Sequence, residues 1–235
     1  MSLAPAMSLT LGSLAGAVVA FDLDGTLVDS APDLIGSLNV VLHEKGLPTL
    51  SLQQARPMVG RGARAMIEQG FAAAGEPLDP EESPTLVRRF IAVYRDRIAL
   101  ESRPFEGVEA ALTDLAGAGA KLCVCTNKFT DLSVALLDAL DLSRYFAAVI
   151  GPDLAPAPKP DARHLIAAVE AAGGSAQRAI MVGDSASDVG AARAAEVPSI
   201  VVSFGYTEIA PAELGGDWLI DRFADLPPLA ARLLA

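Results

Sequence analysis

Phe21-Asp22-Leu23-Asp24-Gly25-Thr26-Leu27 sets two acids and a Gly-Thr turn directly behind an apolar run, residues 17–21. In an extended chain residues i and i+2 point the same way, so Asp22 and Asp24 can serve one ligand. If the apolar run is a strand of an open α/β sheet, both acids emerge at its carboxyl end, where such sheets bind ligands. An Asp-x-Asp pair alone is also an ordinary acidic turn solvating a strand end, so the rest of the chain must decide.

Outward from this stretch, continuous apolar runs rich in β-formers recur at 121–125, 147–150, 179–182 and 199–202, with a last short one at 217–220 beside Trp218. Continuous rather than alternating apolar runs fit strands covered on both faces of a parallel sheet. Helical patterns at 108–118, 132–140, 162–172 and 186–195 lie between them, which predicts an open, Rossmann-like α/β sheet with right-handed crossovers. Residues 32–100 break the alternation with amphipathic helical patterns and no strand. Pro32 suits a first helical turn and Gly46 a C-terminal cap; further helices are expected over 63–74, ending at Gly75, and over 82–100, starting near Pro84. The expected organisation is an α/β core made of residues 1–30 and 104–235, interrupted by a small helical cap of residues 31–103. The connections near 28–31 and 102–107 are expected to act as hinges.

Three more strand ends carry chemistry. Thr126-Asn127 follows the run 121–125 and offers a hydroxyl and an amide to a phosphoryl oxygen, although both types are also common helix caps. Lys159 stands between Pro158 and Pro160, on a stiff segment from which a point charge can reach a phosphate or carboxylate. Gly183-Asp184-Ser185-Ala186-Ser187-Asp188 puts two acids at a helix start, where they can converge on a hard cation; magnesium takes oxygen ligands and few carboxylates. Each element alone has an ordinary structural reading. Their common placement at strand carboxyl ends, where one cleft collects them, does not.

The composition narrows the partners. The chain has 235 residues, 51% hydrophobic and 20% charged, with a formal net charge of −11. An acidic surface repels nucleic acid and anionic lipid, so an anionic substrate must be drawn by local cations or a metal. The apolar stretch 9–21 has no Lys or Arg before it and is too short to span a bilayer, so it reads as a lead-in to the first strand, with Met7 a plausible natural start. Cys123 and Cys125 alternate along one strand, a poor geometry for a bridge, which fits a reduced cytoplasmic protein. His43 and His164 are far apart in the chain and read as helix-face residues, not a zinc site.

The four motifs together resemble those of the haloacid dehalogenase superfamily phosphatases over nearly the whole chain, and the helical insertion resembles that family's small cap. Within the superfamily the chain most resembles the phosphoglycolate phosphatase group, through Met58-Val59-Gly60-Arg61-Gly62-Ala63, Arg103-Pro104-Phe105-Glu106-Gly107-Val108 and Val202-Ser203-Phe204-Gly205-Tyr206. The resemblance implies hydrolysis of a small phosphate monoester, 2-phosphoglycolate first, by a monomer or homodimer using Mg2+. It gives Asp22 as nucleophile, Asp24 as general acid and base, and Thr126 and Lys159 as holders of the phosphoryl oxygens. Thr26 and Asn127 are further expected substrate contacts. The metal would be held by Asp22, the Asp24 carbonyl and Asp184, with Asp188 binding it directly or orienting its water. Arg61 and Arg64 are expected to pair with the substrate carboxylate when the cap closes. A phosphomutase of the β-phosphoglucomutase type, a sugar-phosphate or pyrophosphate phosphatase, or a non-enzymatic binding module on the same core are the alternatives. Asp24 argues against dehalogenation, which has no ester leaving group to protonate.

Overall fold

The computed structural model describes residues 14–207 and 209–234; the expected start at Met7 and the first part of the lead-in 9–21 lie outside them. The strands in chain order are β1 (Val18–Phe21), β2 (Val28–Asp29), β3 (Arg103–Pro104), β4 (Lys121–Cys125), β5 (Ala148–Ile150), β6 (Ala179–Gly183), β7 (Ser199–Val202) and β8 (Trp218–Ile220). The helices are α1 (Ala31–Glu44), α2 (Leu52–Ala55), α3 (Ala63–Ala73), α4 (Ser83–Asp96), α5 (Val108–Gly117), α6 (Thr130–Ala139), α7 (Ala162–Ala171), α8 (Ala186–Ala194) and α9 (Leu226–Leu234). Six strands form one sheet in the order β5-β4-β1-β6-β7-β8, with every neighbouring pair parallel. This is the open α/β architecture expected of the apolar runs.

The reason those runs are continuous is visible in β1. Val19 and Phe21 pack into the apolar layer made with α5, α6 and α9, whereas Val18 and Ala20 pack against α7 and α8 on the other face. Cys123 and Cys125 share that second face as buried free thiols. The chain leaves β1, builds β4 and β5 on one side, then crosses to β6, β7 and β8 on the other. The strand order therefore reverses at β1, and a crevice opens at the carboxyl ends of β1, β4 and β6.

The regular elements within residues 31–96 are all helical, with no strand among them. Pro32 lies in the first turn of α1, and Gly46 and Gly75 take positive φ just past α1 and α3. Ile35, Leu38, Ile67, Phe71 and Phe90 bury their side chains on one another in a separate apolar cluster, into which Leu132 and Tyr206 also reach. The expected helix 82–100 ends earlier, at Asp96. Arg97 N–H turns back to the Tyr94 carbonyl and Leu100 N–H to that of Arg97, which bends the chain toward α1.

The two connections expected as hinges are tied to each other. β2 and β3 pair antiparallel, Val28 opposite Pro104 and Asp29 opposite Arg103. Beside them Asp33 Oδ2 accepts from Glu101 N–H at 2.9 Å, Ser102 N–H at 2.8 Å and the Ser102 hydroxyl at 2.7 Å. A buried carboxylate taking three donors is the clamp that brings the return segment against α1. Trp218 lies on the edge strand, partly exposed, with the Arg232 guanidinium 4.6 Å over its ring.

Asp33→Ala strands a buried N–H and hydroxyl of Ser102 and a part-buried N–H of Glu101, which should cost about 2–4 kcal/mol and lower the unfolding temperature by roughly 10 °C. Thermal unfolding by circular dichroism checks this, and Asp33→Asn, which keeps one acceptor, should fall between the two. An unfolding temperature equal to that of the wild type would show that the β2–β3 ladder alone fixes the return segment.

Candidate active site

Asp22 N–H donates to the Val182 carbonyl at 2.9 Å and Thr126 N–H to that of Ile150 at 3.1 Å, so both side chains stand one step beyond the ladders of the sheet. Asp184 follows β6 in the same way. The structure thus brings Asp22, Asp24, Thr126, Lys159, Asp184 and Asp188 into one crevice, all buried. Gly25 adopts φ +84°, and a Cβ there would lie 2.4 Å from Asp184 Oδ2; only glycine permits both the turn and the approach.

Lys159 is the hub. Its ammonium lies 2.9 Å from Asp22 Oδ1 and 2.6 Å from Asp188 Oδ1 with a fully buried side chain. Burial pulls the Lys159 ammonium toward neutrality, but Asp188 and Asp22 outweigh it and hold the proton. The backbone under the lysine is fixed from two sides. The Asn127 amide N–H donates to the Lys159 carbonyl, its Oδ1 accepts from the Lys159 N–H, and the same N–H reaches His164 Nδ1 at 3.0 Å. Burial lowers the His164 pKa, and its Nε2 sits 3.1 Å from the Ile150 carbonyl, which fixes a neutral ring with Nε2 as donor. Asn127, expected to touch substrate, lines the cleft and has both ends of its side chain hydrogen-bonded to the lysine backbone.

Asp188 has a second task. Its Oδ2 accepts from Asp184 N–H, Ser185 N–H and the Ser185 hydroxyl, capping α8 while Oδ1 holds Lys159. Asp184 accepts from the Thr26 hydroxyl at 2.8 Å on Oδ1 and from Tyr206 N–H at 2.7 Å on Oδ2. Thr26 was expected as a substrate contact. It is fully buried, and its hydroxyl donates to Asp184, a residue of the crevice, so it supports that acid.

Lys128, absent from the expected set, is the second cation of the site. It directly follows the Thr126-Asn127 pair, and its ammonium lies 2.8 and 3.1 Å from the two oxygens of Asp24 and 2.7 Å from the Tyr94 hydroxyl of α4. Burial opposes its charge, but Asp24 and Tyr94 more than offset that and raise its pKa. Asp24 Oδ1 also accepts from the Ser30 hydroxyl at 2.5 Å. The cleft over these groups holds about 40 Å³ and is closed by Val59, Gly60, Met66, Phe90 and Tyr94 from the helical block.

The two expected arginines are not in that cleft. Arg64 is exposed on α3 and pairs with Glu68 one turn on, at 2.7 Å, an exposed i,i+4 pair. Arg61 is exposed too and lines a separate depression with Pro57, Ser185 and Ser187. Their loop does reach the site, but through Gly60 and Gly62.

Four buried carboxylates, Asp22, Asp24, Asp184 and Asp188, face two buried lysines, a surplus of two negative charges. Desolvation first, then Asp188 and Asp24, raises the Asp22 pKa to about 7 despite Lys159; desolvation, then Asp188 and Asp22, raises that of Asp184 to about 8. Oxygens of Asp22, Asp184 and Asp188 lie within 4.8 Å of one another. An all-oxygen donor set with this charge surplus fits a hard divalent cation. The Asp24 carboxylate stands outside the group, taken by Lys128 and Ser30.

Residues 19–202 match the family model described as haloacid dehalogenase-like hydrolase. A phosphoglycolate phosphatase of Caulobacter vibrioides is 60% identical over 225 residues, covering 96% of this chain and 95% of that one. A phosphoglycolate phosphatase of Agrobacterium fabrum is 49% identical, covering 88% and 89%. Among solved structures, a predicted phosphoglycolate phosphatase from Haemophilus somnus superposes with a TM-score of 0.83 at 29% identity, over 92% of this chain and 98% of that one. Among the described residues no helix is long and apolar enough to cross a membrane.

The raised pKa values of Asp22 and Asp184 set a pH dependence. Without metal, these two acids favour folding below their unfolded value of 3.8, and that contribution is lost as pH rises through about 7 and about 8. A cation must displace their protons at low pH and finds them ionised at high pH. The rise in unfolding temperature on adding magnesium should therefore grow from about pH 5 to about pH 8, reaching roughly 5–10 °C at a hundredfold excess over Kd. Asp184→Asn should remove most of it. A magnesium shift independent of pH would place the cation elsewhere.

Proposed function

The chain belongs to the haloacid dehalogenase-like hydrolase family, and on that premise we propose that it is a magnesium-dependent phosphatase of 2-phosphoglycolate. Residues 1–30 and 104–235 would form its catalytic core and residues 31–103 its cap. The observation that carries the substrate assignment is Lys128, a buried cation in the cleft whose partners are Asp24 and a cap tyrosine. Lys159 is committed to Asp22 and Asp188, so Lys128 is the lysine available to a second anionic group. A carboxylate one carbon from the ester oxygen is a small anion of the right kind, and the names of the relatives support the same choice.

In the proposed reaction an oxygen of Asp22 attacks phosphorus, the P–O bond to glycolate breaks, and Asp24 gives its proton to the leaving alkoxide. Water then attacks phosphorus, Asp24 takes a proton from it, and the bond to Asp22 breaks to release phosphate. Lys159 holds Asp22 in line and, with Thr126, faces the phosphoryl oxygens. A magnesium ion held by Asp22, Asp184 and the Asp24 carbonyl, with Asp188 beside it, would supply charge neutralisation between the nucleophile and the phosphate. Asp24 in its present contacts has Lys128 on both oxygens. Transfer of Lys128 to the substrate carboxylate leaves Asp24 buried without its counter-charge, so it takes up a proton from solvent and faces the leaving oxygen as an acid; recognition and acid catalysis become one event. The chain's buried free thiols suit a reducing compartment such as the cytoplasm.

A panel of phosphoglycolate, sugar phosphates, pyrophosphate and an aryl phosphate, assayed with magnesium, tests the assignment; phosphoglycolate should give the highest kcat/KM. Asp22→Asn should abolish turnover. Lys128→Met should lower kcat/KM for phosphoglycolate about 10- to 100-fold, the loss of a charge-assisted contact, and that for the neutral-tailed aryl phosphate much less. Arg64→Ala should leave both unchanged. Equal losses on the two substrates in Lys128→Met would reduce the lysine to a support of Asp24 and remove the ground for the carboxylate assignment.

A further inference from the structure

Tyr206 belongs to the loop after β7, yet its ring is buried in the apolar cluster of the helical block, 6.5 Å from the Phe105 ring. Its backbone N–H donates to Asp184 Oδ2 at 2.7 Å. Its hydroxyl, at the other end of the side chain, donates to Asp29 Oδ1 at 2.5 Å and accepts from Ala31 N–H at 3.2 Å. Asp29 lies on β2, the outgoing connection, and its carboxylate also receives the Arg56 guanidinium at 3.0 and 3.2 Å. Arg56 comes from the helical block and lies 5.1 Å over the Tyr206 ring. One residue thus grips an acid of the metal group with its backbone, and the hinge and cap with its side chain.

The grip has no slack. A Cβ on Gly205 would lie 2.1 Å from Asp184 Cβ, and one on Gly25 would lie 2.8 Å from Tyr206 Cδ2. Glycine at 205 lets that backbone press directly on the Asp184 side chain, and glycine at 25 leaves the room that the Asp184 carboxylate and the Tyr206 ring fill. A movement of the Tyr206 phenol is therefore not absorbed in free space around its backbone amide.

We propose that Tyr206 is a positioning residue that couples the placement of the helical block to the aim of the Asp184 carboxylate, and so to cation binding. This rests on the reading of Asp22, Asp184 and Asp188 as the metal site. Displacement of the block at the β2–β3 ladder moves Arg56 and Asp29, draws the Tyr206 hydroxyl with them, and turns the amide that fixes Asp184 Oδ2. The cation site is complete only with the block in the position described, and the converse follows by linkage: a bound cation favours that position.

Tyr206→Phe keeps the ring in its cluster and removes both hydroxyl contacts; Arg56→Ala acts from the block side without touching Asp184. Mn2+ binding to the full chain, measured by water-proton relaxation without substrate, should weaken about tenfold in Tyr206→Phe and severalfold in Arg56→Ala. The double variant should be no weaker than Tyr206→Phe alone, because both cut one linkage. Wild-type Mn2+ affinity in Tyr206→Phe, or losses that add in the double variant, would overturn the coupling while leaving the metal site standing. A wild-type chain that binds no Mn2+ would overturn the metal reading itself and the coupling with it.

Discussion

The Lys159 ammonium, buried between Asp22 and Asp188, is the contact on which the rest of the site depends. A charge taken out of water costs several kcal/mol unless partners replace its hydration. Lys159 has two carboxylates, and they in turn have it. Remove it, and Asp22, Asp184 and Asp188 stand within 4.8 Å of one another with no counter-charge from the chain. The surrounding structure serves that contact: Asn127 and His164 fix the lysine's backbone, and Asp188 is itself held by the N-terminus of α8. Even so, Lys159 does not balance the acids. The surplus that remains, expressed in the raised pKa values of Asp22 and Asp184, is what would let the site receive a cation rather than stand as a finished ion cluster.

How much of this could be read in the chain follows from what each feature depends on. The strands were legible because a parallel strand covered on both faces must be apolar at every position, as Val18 to Phe21 are. The acids were legible because strand carboxyl ends in an open sheet converge, so Asp22, Thr126 and Asp184 share a crevice whatever joins them. The direction of a polar side chain does not follow from either rule. Thr26 and Asn127 stand at the predicted place but spend their hydrogen bonds on Asp184 and on the Lys159 backbone, because those buried groups need partners. Arg64, expected over the cleft on closure of the cap, pairs here with Glu68 one helical turn away and lies in solvent.

Lys128 was missed although its neighbours were found. The strand-end argument that selected Thr126 and Asn127 extends one residue further, and a lysine there has to be paired or expelled. Its partners, Asp24 and Tyr94, lie 104 and 34 residues away, which no local pattern reveals. Tyr206 is a similar case. Its segment resembles a family motif, but the reason for a tyrosine at that point appears only when its hydroxyl is seen on Asp29 and its amide on Asp184.

The two lysines differ in a way that gives each its part in the proposed reaction. Lys159 has a side chain with no exposure, two carboxylate partners and a backbone held by two other side chains, so it has nowhere else to go. Lys128 lies on the short segment before α6, lines the cleft, and shares its charge between one carboxylate and the hydroxyl and ring face of Tyr94, 4.3 Å away. A neutral tyrosine holds a cation less firmly than a second carboxylate would, and burial keeps the Tyr94 proton on by raising its pKa to about 12. Asp24 and an incoming carboxylate are chemically alike, so the exchange of one for the other on Lys128 loses little once the buried Asp24, left without its counter-charge, takes up a proton. Because Tyr94 belongs to the helical block, the lysine's hold on a substrate tail is strongest with the block in place over the cleft. A substrate without a second anion leaves Lys128 on Asp24, and the acid on which departure of the alcohol depends remains occupied. Discrimination against such substrates then falls on kcat rather than on binding alone, which is where an enzyme acting on one small anion among many phosphate esters gains most from it.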